Sequence, residues 1–296
     1  MQFLGNKTNF FFLNNILKLE ITFLIDLVAI AGFFTNPEAL SHIYLIIPLL
    51  ISGSLASMSS GVLNNIFDRD IDIKMNRVSK RREVVRMRLG YMIILFSVLS
   101  ISSLTIGLFY LPLISAFFIL MGFFSYAILY TMLLKRRTDL NIVIGGIAGS
   151  FPALAGSSAI LGIITPASIF IAVLVFVWTP THFWSLAIKY KDDYKEAGIP
   201  MLPAVRGIPI TREYILINSI FLATVTVFPL IHPHMGLSII YLVLAIPLAL
   251  WILIPSIIYF LKDGGPKEYR KLFSYTNGYL TVGLILIIIS TFTIHI

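Results

Sequence analysis

Residues 43–72 read "IYLIIPLLISGSLASMSSGVLNNIFDRDID", an apolar run that ends in two asparagines and three aspartates. As an α-helix rising 1.5 Å per residue, the run at 43–66 is long enough to cross a hydrocarbon core of about 30 Å. Similar runs fall at 16–34, 89–109, 112–134, 141–162, 167–188, 212–231, 237–261 and 274–295, so the sequence predicts nine transmembrane helices. Inside lipid every backbone donor and acceptor needs a partner, and these runs lack the short alternation of barrel strands. The expected fold class is therefore all-α, a polytopic membrane protein with its helices in one bundle over residues 1–296.

The composition agrees. Of 296 residues 58% are hydrophobic and 12% charged, against about 25% charged in a soluble domain. With no cysteine, disulfides, thiolate nucleophiles and cysteine metal sites are excluded. A net charge of +8 could suggest nucleic acid, but its distribution points to membrane lipids and to no nucleic acid. With a cytoplasmic N-terminus, all 22 Lys and Arg fall on one side: Lys7, Lys18, the 69–88 loop, Lys135 to Arg137, Lys189 to Arg212 and Lys262 to Lys271. The loops near 35–42, 110, 163 and 231–236 carry none. The positive-inside rule then orients the chain in a cell membrane, with its C-terminus on the opposite face.

Two cytoplasmic loops stand out by length and polarity, 67–88 and 189–210. They lie four spans apart, and each opens with acidic residues, which suggests two four-helix halves with an acidic mouth each, plus a ninth helix. At the first mouth Asn64, Asp68 and Asp72 are spaced i, i+4, i+8, with Asn65 three residues before Asp68. At 3.6 residues per turn they share a helix face. Two carboxylates on one face need a cation, and Mg²⁺ accepts one or two protein carboxylates while filling its other positions with water and phosphate oxygen. An acidic loop that merely balances neighbouring arginines would look the same. The second mouth holds Asp192, Asp193 and Glu196, bracketed by Lys189, Lys191 and Lys195; exposed i, i+4 salt bridging is the plainer account of it alone. Facing each other, the two mouths would clamp a diphosphate between cations, with Lys and Arg meeting the remaining charge.

"NNIFDRDIDIKMNR" (64–77), "LKRRTDLNIVIGGIAGSFPALAG" (134–156), "WTPTHFWSLAIKYKDDYKEAGIPMLP" (178–203) and "YRKLFSYT" (269–276) together resemble the UbiA-type intramembrane prenyltransferases. More closely they resemble the haem-farnesylating branch of that family. The resemblance implies transfer of a farnesyl group from farnesyl diphosphate to a vinyl group of haem B, with Mg²⁺ as cofactor. It implies Asn64, Asp68, Asp72, Asp192 and Asp193 as catalytic residues, and Asp68, Asp72, Asp192, Asp193 and Glu196 as metal ligands. Diphosphate would meet Asn65, Arg77, Arg81, Lys135, Arg136, Lys189 and Lys191; haem would meet His182 and Trp178. The basic residues also satisfy the topology rule, which explains them equally well. His182 is an ionisable group inside a span, a functional position by default, although bonding to a neighbouring helix is also common. Phe123, Phe124, Tyr126 and Tyr130 could line a dry cavity, but lipid-facing packing is the plainer account of each. Asp26, inside the first span, matches no motif. An acceptor such as an aromatic quinone precursor or a glycerol lipid would share both mouths. A secondary transporter is the remaining alternative, though it would place its charges near the midplane.

Overall fold

The structure is a computed structural model that describes residues 14–72 and 88–293. Among the described residues it is helical throughout, with no strand. In chain order the helices are α1 Leu19–Phe34, α2 Ile46–Phe67, α3 Arg69–Asp72, α4 Leu89–Tyr110 and α5 Leu113–Phe124. They continue with α6 Asn141–Gly145, α7 Phe151–Ser158, α8 Pro166–Lys189, α9 Lys191–Glu196, α10 Leu202–Val227, α11 Ile239–Leu261 and α12 Pro266–Thr293. A π-helix over Ser125–Leu134 extends α5, and a 3-10 turn over Gly146–Gly149 joins α6 to α7.

Seven helical stretches among the described residues are long and apolar enough to cross a membrane, which makes this a multi-pass membrane protein. The other two predicted spans differ. α1 has 16 residues, and 141–162 breaks into α6, the 3-10 turn and α7, so length alone does not establish a count of nine. The break falls where Gly145, Gly146 and Gly149 press against Tyr130, Thr179 and Val175. Helices also run past their apolar windows: α10 begins at Leu202 rather than near 212, after which Gly207 (φ 84°, ψ 169°) and Pro209 bend it.

Contacts fall into two groups, α1, α2, α4, α5 and α7 in one and α8, α10, α11 and α12 in the other, joined where α1 meets α8 and α12 and where α7 meets α8. α8 is the most enclosed span, with 72% of its apolar window buried against 17% for α4. Thr165 caps its N-terminus by accepting from the Ser168 amide at 3.1 Å, with Pro166 in the first turn, the arrangement that suits a residue lacking an amide hydrogen. Pro180 interrupts the backbone ladder inside it. Asn218 of α10 donates to the Val177 carbonyl at 2.8 Å, one residue past the Phe176 carbonyl that Pro180 leaves without its amide partner.

α1 and α7 approach by small residues. A Cβ at Gly32 would stand 2.1 Å from the Ala153 carbonyl oxygen, and one at Gly156 2.0 Å from that of Ala29. Close backbone contact replaces the hydrophobic driving force that lipid removes. Outward faces carry exposed Phe23, Phe109, Leu113 and Ile217, as a lipid-facing surface should.

Candidate active site

A cavity of about 340 Å³ lies between α1, α2, the α5/π-helix, α6–α7 and α8. One end of its wall is the end of α2. Asp68 sits between α2 and α3 with φ −91°, ψ 6°, and only 2% of its surface is exposed. Its Oδ2 accepts from Asn64 Nδ2 at 2.7 Å and from Lys135 Nζ. Its Oδ1 is buried with no hydrogen-bond partner among the described residues. Asn64 Nδ2 also reaches Thr131 Oγ1 at 3.2 Å. A buried carboxylate oxygen without a donor is costly unless something binds it, and a hard cation that takes one or two protein carboxylates fits the vacancy in its bonding.

Lys18, which the sequence reading counted only as a topology charge, belongs here. It takes left-handed backbone angles (φ 53°, ψ 47°) between residues 14–17 and α1. Its ammonium donates to Asn64 Oδ1 and, at 2.9 Å, to the Tyr126 hydroxyl, and it lies 5.3 Å from the centre of that ring. Lys18, Asn64, Asp68, Lys135, Tyr126 and Tyr130 all line the cavity. Tyr126 and Tyr130 therefore face inward with Phe123, whereas Phe124 is exposed. Lipid-facing packing holds for Phe124 alone of the four.

Other predicted residues are engaged elsewhere. Asn65 donates to the carbonyls of Asn15 and Ile16 at 3.1 and 3.0 Å, which ties down the N-terminal segment; it does not line the cavity. Arg136 forms a fork with Asp70 at 2.8 and 2.7 Å and also donates to the Phe67 carbonyl at 2.6 Å. It thereby caps α2 and holds α3. Hydrogen bonding from that guanidinium holds the Asp70 carboxyl below the usual carboxylate range. Lys189 donates to the Tyr190 hydroxyl at 2.8 Å, and Lys191 opens α9. The side chain of Asp72, together with Arg77 and Arg81, lies outside the described residues.

At the second mouth, Asp192 and Glu196 are exposed on α9 and Asp193 is half-buried. Among the described residues no three His, Asp or Glu side chains gather closely enough to hold a metal between them. The two mouths are nonetheless neighbours. Ile71 of α3 packs in one apolar cluster with Ile142, Ala187, Tyr194, Ile199 and Met201, and Tyr194, Ile199 and Met201 line the cavity.

The α8 wall carries the third feature. The His182 ring stacks between Trp178, at 4.1 Å between centroids, and Phe273, at 4.4 Å. Its Nδ1 meets Thr276 Oγ1 at 2.7 Å, and Trp178 Nε1 donates to the Thr276 carbonyl at 2.8 Å. Thr276 spends its one hydroxyl proton on the Phe273 carbonyl at 2.7 Å. When the hydroxyl donates there, its oxygen accepts from His182 Nδ1–H and the Nε2 lone pair is left for another partner. Both Trp178 and His182 line the cavity.

Residues 27–278 match the UbiA prenyltransferase family. Protoheme IX farnesyltransferase 2 of Picrophilus torridus is 44% identical over 278 residues, covering 93% of this chain and 96% of that one. Protoheme IX farnesyltransferase of Alcanivorax borkumensis is 40% identical over 269 residues, covering 89% and 87%. Among solved structures, a digeranylgeranylglyceryl phosphate synthase superposes with a TM-score of 0.77 at 15% identity, over 96% of this chain and 99% of that one. A UbiA homologue from Archaeoglobus fulgidus bound to GPP and Mg²⁺ does so with a TM-score of 0.67 at 16% identity, over 93% and 99%. At those identities the superpositions show the fold alone; with the match over residues 27–278 and the close relatives, they establish that the chain belongs to the UbiA prenyltransferase family and groups there with the protoheme IX farnesyltransferases.

Proposed function

We propose that this prenyltransferase moves the farnesyl group of farnesyl diphosphate onto a vinyl carbon of haem B, with water completing a hydroxyethylfarnesyl side chain, in a Mg²⁺-dependent reaction. The observation that carries the reading is that one cavity joins two unlike sites: the Asp68 carboxylate between Lys135 and Asn64, and the aromatic stack around His182. The first suits a metal diphosphate and the second a flat porphyrin. Mg²⁺, when bound, would neutralise the diphosphate as its charge grows on leaving, and Asp68, Asp72, Asp192 and Asp193 would hold it, with Glu196 in support. Lys135 and Lys18 add positive charge at the same end, where developing anion is best stabilised by groups already in place. The inward rings of Phe123, Tyr126 and Tyr130 keep the allylic centre dry and offer their faces to its positive charge. His182 Nε2 suits a haem iron ligand.

Arg136 is spent on Asp70 and Asn65 on the backbone, so Lys18 replaces them in our diphosphate assignment. Residues 1–296 act as one unit, in the cell membrane, with the N-terminus and both mouths cytoplasmic and the C-terminus opposite. Membranes carrying the chain, given haem B, farnesyl diphosphate and Mg²⁺, should yield haem heavier by farnesyl plus water, and a chelator should abolish it. Unaltered haem in every sample would remove haem as the acceptor. A glycerol lipid or quinone precursor is the second reading, since either acceptor would share both acidic mouths.

A further inference from the structure

Three polar contacts bridge α1 and its N-terminal break to α2 at helical intervals: Lys18 to Asn64, Thr22 to Ser57 at 2.9 Å, and Asp26 to Ser54 at 2.7 Å. Lys18, Asp26, Ser57, Ser60 and Asn64 line the cavity, so one wall carries a polar stripe. Phe118, Ile119 and Phe123 of α5 line the same cavity and are apolar. At one end of the stripe stands the ammonium of Lys18, and at the other the carboxylate of Asp26, about 12 Å further along the helix. An acid inside a membrane cavity is costly and marks function by default. Asp26 belongs to no motif, and Ser54 is its hydrogen-bond partner among the described residues.

We propose that Asp26 is the general base of the hydration step, a role that rests on the reading of the chain as a haem farnesyltransferase. In that reaction the bond from farnesyl C1 to the diphosphate oxygen breaks, and its electron pair leaves with the diphosphate. The vinyl π pair forms the new carbon–carbon bond to C1. The carbon next to the porphyrin is left cationic. Water then adds to that carbon, and one proton must leave the new hydroxyl; Asp26 accepts it and later returns it to solvent or to the departing diphosphate. No other reactant is consumed.

The placement fits. A phosphate on Lys18, the ester oxygen, C1 and the two vinyl carbons in line span most of the rise between Lys18 and Asp26. The cationic carbon then lies within one water of the carboxylate, the reach a general base needs. A water in a cavity also needs two to four polar partners, which Asp26 and the hydroxyls of Ser57 and Ser60 offer on this wall. Among the described residues the carboxylates lining the cavity are Asp26 and Asp68; Asp68 is bonded to Lys135, so Asp26 is the one we assign the proton.

The test compares wild type, Asp26→Asn and Asp26→Glu in detergent, each given haem B, farnesyl diphosphate and Mg²⁺ in ¹⁸O-water. Asparagine keeps the size and the bond from Ser54 but cannot take a proton. The expected result is a fall of at least about tenfold in ¹⁸O-labelled hydroxylated product, with a rise in farnesylated haem lacking the elements of water. Thermal stability and binding of a non-hydrolysable diphosphate analogue should stay unchanged, and Asp26→Glu should recover part of the labelled product. Wild-type rates and wild-type labelling in Asp26→Asn would overturn the role, as would equal losses in both variants that track a drop in thermal stability. Labelled product from wild type keeps the haem reading intact in either case. Failure of wild type to alter haem would overturn that reading, and the base role with it.

Discussion

Asp68 receives Asn64 and Lys135 on one oxygen and leaves the other buried without a partner among the described residues. Asp68→Asn removes the charge without changing the shape, so turnover should drop by two orders of magnitude or more while thermal unfolding shifts little; near-wild-type turnover at limiting Mg²⁺ would contradict the metal role. His182 makes the opposite kind of prediction. His182→Ala should weaken haem binding, read from the absorption spectrum, at least tenfold, and leave diphosphate-analogue binding unchanged, because Asp192 follows His182 by about 15 Å of helix rise. Parallel loss of both ligands with lowered stability would make the histidine a packing residue. Asn64 and Asp68 were legible in the sequence because a period of 3.6 fixes which residues share a face. Lys18 was not: its role depends on a left-handed backbone break and on a partner 46 positions away. Asn65 and Arg136 look like ligands by type, yet the fold uses both to hold backbone carbonyls.

Elements assemble the site through close backbone contact and local capping. Gly156 of α7 meets the Ala29 carbonyl of α1, so Gly156→Ala must push the two helices apart. We expect a loss of about 1–3 kcal/mol in unfolding experiments. Gly90→Ala, where an added Cβ meets nothing within 4 Å, should be neutral or slightly stabilising. Equal effects at both positions would contradict the packing account. At the mouth, Arg136 lowers the Asp70 pKa in the folded state. A depressed carboxylate contributes stability above its unfolded pKa of about 3.9 and loses it as pH falls through the folded value. The pair is exposed, with 64% of the Asp70 side chain accessible, so its contribution is at most about 1 kcal/mol. Wild type should therefore exceed Asp70→Asn in thermal stability at pH 6, and the gap should shrink as pH falls below about 3.9; a gap that widens on acidification would reverse the sign. The spans were legible because about 20 apolar residues are hard to mistake. The interruption at 141–162 was not, because a hydropathy window averages away Gly145, Gly146, Gly149 and Pro152, the residues that weaken the helix there.

For the whole molecule, the cavity links the Asp68 end to the His182 stack, and the two acidic mouths meet through the cluster of Ile71 and Tyr194. The four-span spacing of the mouths suggested two halves that could face each other, and the cluster of Ile71 and Tyr194 makes α3 and α9 neighbours. The wall of α1 and α2, with its polar stripe, was not legible in the sequence, because its members are scattered among apolar residues and matter only once the helices pack. Family membership constrains the donor to a prenyl diphosphate more closely than it constrains the acceptor, so acceptor choice is the central claim. Its most direct test gives the purified protein radiolabelled farnesyl diphosphate and Mg²⁺ with equimolar haem B, an aromatic quinone precursor and a glycerol phosphate, and then separates the products. Label should appear on haem, gained with loss of one vinyl group, and should be lost in Asp68→Asn. Label on the quinone precursor or the glycerol phosphate, with haem B recovered unchanged, would contradict that claim.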